Sequence, residues 1–566
     1  MRQGTPEAWL AAAAQAGNPV TQGWLSLAGV PQWLEQMQAA TPRLASLQAD
    51  YARKQGELWN ALIAGRREAL VAPEPGDRRF AAKAWDENPY YDYLKQSYLL
   101  AARFVTDLVE AAEIEDDAKV RARFAARQWV DAMCPANFPA TNPEALEQAV
   151  RTNGESLAQG LANLLDDVSK GRISQTDEQA FEVGRDVAAT RGQVIFENEL
   201  IQLIHYEARS ERVAARPLVM IPPCINKFYI LDLQPANSLV AYALEQGQDV
   251  FMLSWRNVGP EHGRLTWDDY LEKGVLTALR VAREVAGSES VNALGFCIGG
   301  TLLGAALAVL AGKGEALVAS ATFLTAMLDF SEAGQLGVYV EPASVALREA
   351  AIGQGGVMSG RELAHVFSSL RSNDLVWPYV VRNYLLGRRP DAFDLLYWNA
   401  DGTNLPGPMF CYYLRNTYLE NKLRVPRALS NCGVPVDLRE IRQPVFVYSS
   451  REDHIVPWRS AYRTLGLVSG ERTFVLGASG HIAGVINPPA KKRRSYWATP
   501  DGMACPDEPD EWLASAVERP GSWWPTWLEW LSRHSGGERA APRAPGTVQY
   551  KPIEPAPGRY VKQRIH

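Results

Sequence analysis

Three residues of this 566-residue chain have the types and the order of a nucleophilic relay: Cys297, Asp453 and His481. Cys297 lies in Gly295-Phe296-Cys297-Ile298-Gly299, after a short apolar run that begins at Val291 and before an uncharged small-residue segment that reaches Gly312. A strand-to-helix turn sharp enough to present a nucleophile leaves no room beside it, and glycine stands two residues before and two after the thiol. A thiol needs a base to take its proton, and the base needs a carboxylate to orient it. The strand-like run Pro444–Tyr448 leads into Ser449-Ser-Arg-Glu-Asp453-His454, and Arg472–Leu476 leads into Gly477-Ala-Ser-Gly-His481. His454 competes with His481 as base, but side chains of adjacent residues seldom point together, so His454 takes a supporting role beside Asp453. His205, His262, His365, His534 and His566 have no such strand-end position. Taken alone the glycine–cysteine–glycine pattern is weak, because free Cys is among the most buried residue types. The three residues in order carry the reading.

The elements that must position them are strands alternating with helices. Gln193–Phe196, Ile201–Ile204, Pro217–Ile221, Val250–Leu253 and Val291–Phe296 are short β-prone runs, with helical stretches Asn237–Glu245 and Trp267–Ala286 between the later ones. That rhythm requires crossovers and a mostly parallel sheet. With nucleophile, acid and base in this chain order, it predicts an α/β class chain with an α/β-hydrolase fold. The oxyanion donors follow: the backbone N–H of Ile298, and one from the loop Pro222-Pro-Cys-Ile-Asn226. The prolines have no N–H, and Ile225 is the choice among the remaining three. Cys224 lacks relay partners and is expected to be a small buried residue.

Residues 1–185 predict a helical N-terminal domain. Leu44, Leu47, Tyr51, Gln55, Leu58 and Leu62 fall on one helical face, and Phe80–Trp85 with Tyr90, Tyr91 and Tyr93 form an aromatic cluster. Its aromatics are expected to form core, with docking on an apolar surface or partner as the alternative. Asn142-Pro143 and Gly171–Asp177 are breakers, and the boundary is expected at or just after the latter. The catalytic domain, 186–566, loses its strand–helix rhythm over about 328–440, which predicts a cap insertion above the site. KKRR at 491–494 reads as a solvated run, and 535–566 as an extended tail.

The bulk numbers agree with an enzyme of several folding units. A net charge of −6 argues against nucleic acid, which needs a basic surface. Six scattered cysteines without paired metal spacing suggest a reduced cytosolic compartment and no metal site. The N-terminus lacks the basic and apolar blocks of a signal peptide. Residues 291–312 are uncharged and long enough to span a bilayer, but five glycines and an elbow argue for a buried helix instead, so no transmembrane segment is expected.

Cysteine in place of the usual serine has a chemical consequence. Thiolate attack on a thioester yields another thioester at nearly balanced free energy, which suits passing an acyl group onward to an alcohol. Hydrolysis by a cysteine enzyme of this fold stays open on the residues alone.

The chain resembles the class I polyhydroxyalkanoate synthases from about residue 75 to the C-terminus. The resemblance rests on Phe80–Trp85 with Asn88-Pro89, Ile221–Asp232, Ser254–Asn257, Gly295–Gly300, Tyr397–Pro406, Cys411–Asn416, Arg451–Pro457, Gly480–Pro489 and Tyr550–Gly558. Trp267–Tyr270 and that tail are similar to the short-chain, single-subunit class. The resemblance implies an acyltransferase polymerising (R)-3-hydroxyacyl-CoA, with Cys297 bearing the growing polyester, His481 as base and Asp453 acting also on the substrate 3-hydroxyl. It implies no cofactor, because the CoA thioester is substrate and CoA is product. It implies a homodimer, and a soluble cytoplasmic enzyme that joins polymer granules and meets granule-associated proteins. Trp398 and Arg371, in the cap, are candidates for substrate contact, the latter for CoA phosphates. The rival readings are a thioesterase or depolymerase of the same fold, and a granule-binding protein with a vestigial relay.

Overall fold

The computed structural model describes residues 42–66, 69–500 and 502–565. The N-terminal stretch examined for a signal peptide, and His566, lie outside the described residues. The chain divides into two compact units, Met1–Asp177 with His365–Ala392, and Glu178–Ala364 with Phe393–His566. The first unit ends at Asp177, the last residue of the breaker named from the sequence and short of residue 185, and it takes 365–392 from the stretch assigned to the cap.

In the first unit the described residues are helical or irregular. The helix Pro42–Ile63 turns the face predicted from its periodicity inward, with Leu58 buried and the rest of that face partly buried, against the helix Pro89–Ala111. Tyr51 stacks on Phe104 at 4.6 Å. Phe80, Trp85, Tyr98 and Cys134 make a small core of their own, so the leading aromatics of the cluster are packing residues. The segment 365–392 joins this unit through buried polar contacts: Ser372 and Asn373 donate to the Asp131 carboxylate at 2.7 and 2.6 Å. Gly160 lets the helix Glu155–Lys170 touch the backbone of Tyr384, where a Cβ would fall 1.9 Å from the carbonyl oxygen.

The second unit is built on one sheet of eleven strands. In chain order these are β1 Gly192–Glu197, β2 Ile201–Tyr206, β3 Leu218–Ile221, β4 Val250–Trp255, β5 Val291–Phe296, β6 Val318–Leu324, β7 Val445–Ser450, β8 Arg472–Gly477, β9 Ser495–Ala498, β10 Val517–Pro520 and β11 Glu554–Pro555. Across the sheet they run β10-β9-β8-β7-β6-β5-β3-β4-β2-β1-β11. The six from β8 to β4 are parallel, and the flanking strands pair antiparallel. Residues of β4, β5 and β7 are buried without exception, because both faces are covered, and so these strands read as mostly apolar runs, broken by Ser254, Asn292 and the closing Ser449 and Ser450. The chain leaves β3 for β4 on one side and then crosses to β5 on the other. Such a reversal opens a crevice at the strands' carboxyl ends. This is the α/β-hydrolase arrangement.

The helix Ile298–Lys313 follows β5 and is buried from Ile298 to Leu310, which is why it carries no charge until its last residue. No helix among the described residues is long and apolar enough to cross a membrane. A tryptophan-rich helix, Trp524–Arg533, buries Trp524, Trp527 and Trp530 in the core cluster that includes β7. Residues 491–494 are exposed. The tail is held, not free: β11 pairs with β1, and Tyr560 and Val561 are buried.

Candidate active site

Cys297 stands where β5 turns into the buried helix, with φ 54° and ψ −129°. A non-glycine residue at positive φ stores about 1–3 kcal/mol of strain that its surroundings must hold. Those surroundings are glycines and backbone. The Cys297 N–H donates to Leu324 O on β6 at 2.9 Å, and its carbonyl accepts from Gly300 N at 2.8 Å. A Cβ on Gly299 would fall 2.4 Å from Ile221 O and 2.5 Å from Pro222 O, while one on Gly295 would fall 2.5 Å from Gly300 Cα. The elbow is thus pressed against the loop that follows β3. Cys297 is half-buried.

Asp453 follows β7 and His481 opens a short helix after β8. The His481 imidazole Nδ1 lies 2.6 Å from Asp453 Oδ2. The other carboxylate oxygen, Oδ1, accepts the N–H groups of Ile455 and Val456, both at 2.9 Å. The carboxylate is therefore fixed by its own turn and aims one oxygen at the imidazole. Burial alone would lower the basicity of His481, but Asp453 and then Cys297, through charge and hydrogen bonds, overcome it and raise its pKa to about 10. Cys297, His481 and Asp453 thus form one connected set, with Phe296 stacked on His481 at 5.7 Å. His454 lies on the same loop, where its carbonyl accepts from Gln335 N at 3.1 Å.

The helix beginning at Ile298 directs its first N–H groups at the nucleophile's end. Ile225 is partly buried in the loop after β3, and its carbonyl accepts from Thr403 N at 2.8 Å. Trp398 braces the same loop: it is 4% exposed, and its indole N–H donates to Lys227 O at 2.7 Å. Tyr229 adds a hydrogen bond to Asp401 at 2.8 Å. Arg371 belongs to the first unit, where its guanidinium pairs with Asp374 at 2.6 Å.

Comparison with known proteins places this arrangement. A family model described as the N-terminus of poly-beta-hydroxybutyrate polymerase (PhaC) matches residues 76–243, and a model of the alpha/beta hydrolase fold matches 217–488. The poly(3-hydroxyalkanoate) polymerase subunit PhaC of Cupriavidus necator is 51% identical over 99% of this chain and 95% of that one. The poly(3-hydroxyalkanoate) polymerase of Methylorubrum extorquens is 41% identical over 94% of this chain and 88% of that one. The chain belongs to the poly(3-hydroxyalkanoate) polymerase family. A solved structure, a monoacylglycerol lipase of Paleococcus ferrophilus, is 14% identical and covers 60% of this chain and 100% of that one, with a TM-score of 0.34, too low to add to the fold assignment.

In this polymerase-family chain two aromatic residues near the relay, Phe330 and Tyr418, escaped the motif reading, and Tyr413 entered it only as a member of Cys411–Asn416. A π-helical turn at Leu414–Leu419 follows the helix Gly407–Tyr413. Its wider winding brings Tyr418 beside Tyr413, with ring centroids 5.5 Å apart. Phe330, from the loop after β6, meets both rings edge-on, at 6.2 and 4.9 Å. Burial, and after it the negative charge of Cys297, pushes the Tyr418 phenol above its usual range. Cys224 is fully buried, and burial followed by the charge of Cys297 pushes its thiol up, which keeps it protonated. Among the described residues no three His, Cys, Asp or Glu side chains converge as a metal-binding set.

Proposed function

We propose that this chain polymerises (R)-3-hydroxyacyl-CoA, of short side-chain length, through a covalent thioester on Cys297. The observation that supports this most is the His481 imidazole held 2.6 Å from a carboxylate fixed by its own loop and coupled to the elbow thiol. His481 takes the thiol proton, the thiolate attacks the acyl carbon, and the CoA thiolate leaves with that proton. The tetrahedral oxyanion is held by the N–H of Ile298 and one from the loop at Ile225. The 3-hydroxyl of a second acyl-CoA then attacks the enzyme thioester: its proton passes by way of Asp453 to His481, the C–S bond to Cys297 breaks as the ester C–O bond forms, and the freed Cys297 thiolate takes back the lengthened chain from its CoA thioester, CoA leaving with that proton. No metal or further cofactor enters these steps. We assign no recognition role to Trp398 beyond holding the loop, and none to Arg371. The enzyme acts as a homodimer on granules in the cytoplasm, where the insoluble product keeps its tethered end.

The test supplies 3-hydroxybutyryl-CoA and follows thiol release together with product size. High-molecular-weight polyester is expected. Free 3-hydroxy acid without polymer would make the protein a thioesterase, and no thiol release at all would remove the catalytic reading. Cys297→Ala is expected to abolish release, and Asp453→Asn to release a first CoA without extending chains.

A further inference from the structure

Thr325 is the first residue after β6, and it is unusual in two independent ways. Its φ is 39°, a region that a β-branched side chain avoids. It is also fully buried, and its hydroxyl has no hydrogen-bond partner in the protein. A buried hydroxyl without a partner forfeits its hydration and gains nothing in return. Neither feature survives in a fold unless the surroundings enforce it, and such outliers cluster at sites of function.

Its place in the sheet is informative. Leu324 is in register with Phe296 on β5 and with Tyr448 on β7. The next position along is therefore Cys297 on one side and Ser449 on the other, each about one strand spacing of ~4.8 Å away. Thr325 N–H donates to Tyr448 O at 2.8 Å, so the backbone is pinned to β7. The residues after it lie on the first turn of the elbow helix: Thr301 donates to Met327 O at 2.9 Å, and a Cβ on Gly300 would fall 2.4 Å from the Ala326 Cβ. Thr325 thus stands between the strand that ends at the nucleophile and the strand that leads to Asp453.

The proposed reaction brings one polar group to that position. With the acyl chain on Cys297, its 3-hydroxyl is two carbons from the thioester carbon, and the reaction proposed above brings that hydroxyl to Asp453. We propose that the Thr325 hydroxyl is the hydrogen-bond partner of the substrate 3-hydroxyl, a substrate-positioning group that makes the site select 3-hydroxyacyl chains. This rests on the reaction proposed above. The strained turn holds this hydroxyl beside the elbow strand without a protein partner.

The test is Thr325→Val, which keeps the branch and removes the hydroxyl, with Thr325→Ser as the conservative rescue. Three readouts are taken: kcat/KM for 3-hydroxybutyryl-CoA, the rate at which iodoacetamide alkylates Cys297, and the melting temperature. Thr325→Val is expected to lose at least tenfold in kcat/KM while alkylation stays within twofold of wild type and the melting temperature is unchanged or higher. Thr325→Ser is expected to recover most of the loss. Unchanged kcat/KM in the valine variant would overturn the proposal. So would alkylation slowed in parallel with turnover, or a lowered melting temperature, either of which would give the hydroxyl a partner within the protein. Wild-type protein that released no CoA would instead refute the reaction itself.

Discussion

At His481 two opposing effects meet, and the charge of its neighbours wins. Desolvation disfavours an imidazolium, yet Asp453 at 2.6 Å and the thiol of Cys297 raise its pKa to about 10. The native state therefore keeps a proton that the unfolded chain gives up near the ordinary value of 6.5. A raised histidine pKa contributes stability that is fully present below 6.5 and is lost as pH climbs through 10. The expected outcome is that the melting temperature of wild type, measured relative to His481→Gln, falls between pH 6.5 and pH 10. Thermal melts of both proteins across that range check it. A gap that stayed constant would mean the imidazole is neutral throughout. The same residue is well placed for its chemistry, because an imidazole that binds a proton this firmly is a strong enough base to take one from the Cys297 thiol.

At the scale of elements, the elbow is a contact between backbones that only glycine permits. Gly299→Ala would drive a methyl group to 2.4 Å from Ile221 O and 2.5 Å from Pro222 O, both backbone atoms with little room to move. We expect it to cost about 1–3 kcal/mol of stability and to displace the loop carrying Ile225, so that CoA release falls at least tenfold. Melting and CoA-release assays decide it, and a variant as stable and active as wild type would mean the loop does not bear on the elbow. This contact was readable from the sequence, since Gly295 and Gly299 bracket Cys297 and a sharp turn demands them. The strands carrying the relay were readable for a related reason: with both faces covered, β5 and β7 are apolar but for Asn292 and the closing Ser449 and Ser450. Other elements gave no such signal. β6 reads Val-Ala-Ser-Ala-Thr-Phe-Leu, too rich in small and hydroxylated residues to stand out, and so Thr325 at its end went unnoticed. β9 to β11 are short strands at or next to the sheet's edges, and two of them end in proline. Tyr413 and Tyr418 meet only because one turn winds at i→i+5, and helical periodicity at 3.6 residues per turn does not pair them. The departure of 365–392 to the helical unit depends on contacts across more than two hundred residues, such as Ser372 with Asp131.

At the scale of the molecule, the C-terminal tail closes the second unit, although its composition reads as extended. Arg539 and His205 share the buried Asp249 carboxylate, at 2.5 and 2.9 Å. The N–H of Gly546 donates to His205 Nδ1 at 3.0 Å, so the imidazole must donate from Nε2 to Asp249. Further on, β11 lengthens the sheet beyond β1, and the Tyr560 ring lies under the Arg256 guanidinium at 3.9 Å. Lys227 reaches Gln563 O at 2.6 Å from the same loop that Trp398 braces and that leads from Ile225. The tail is thus linked to the oxyanion loop by a buried lysine, whose charged form burial disfavours and Asp401 supports. Removing residues 541–566 strips the partner from Lys227, uncovers β1 and takes away the buried Tyr560 and Val561. The chain length of this tail is not what matters; its last hydrogen bonds are. We therefore expect that truncation after Ala540 lowers the melting temperature and CoA release together, whereas truncation after Arg564 changes neither by a measurable amount. Equal activity in both truncated proteins would show that the tail only covers the sheet edge and that the loop after β3 holds its shape without it.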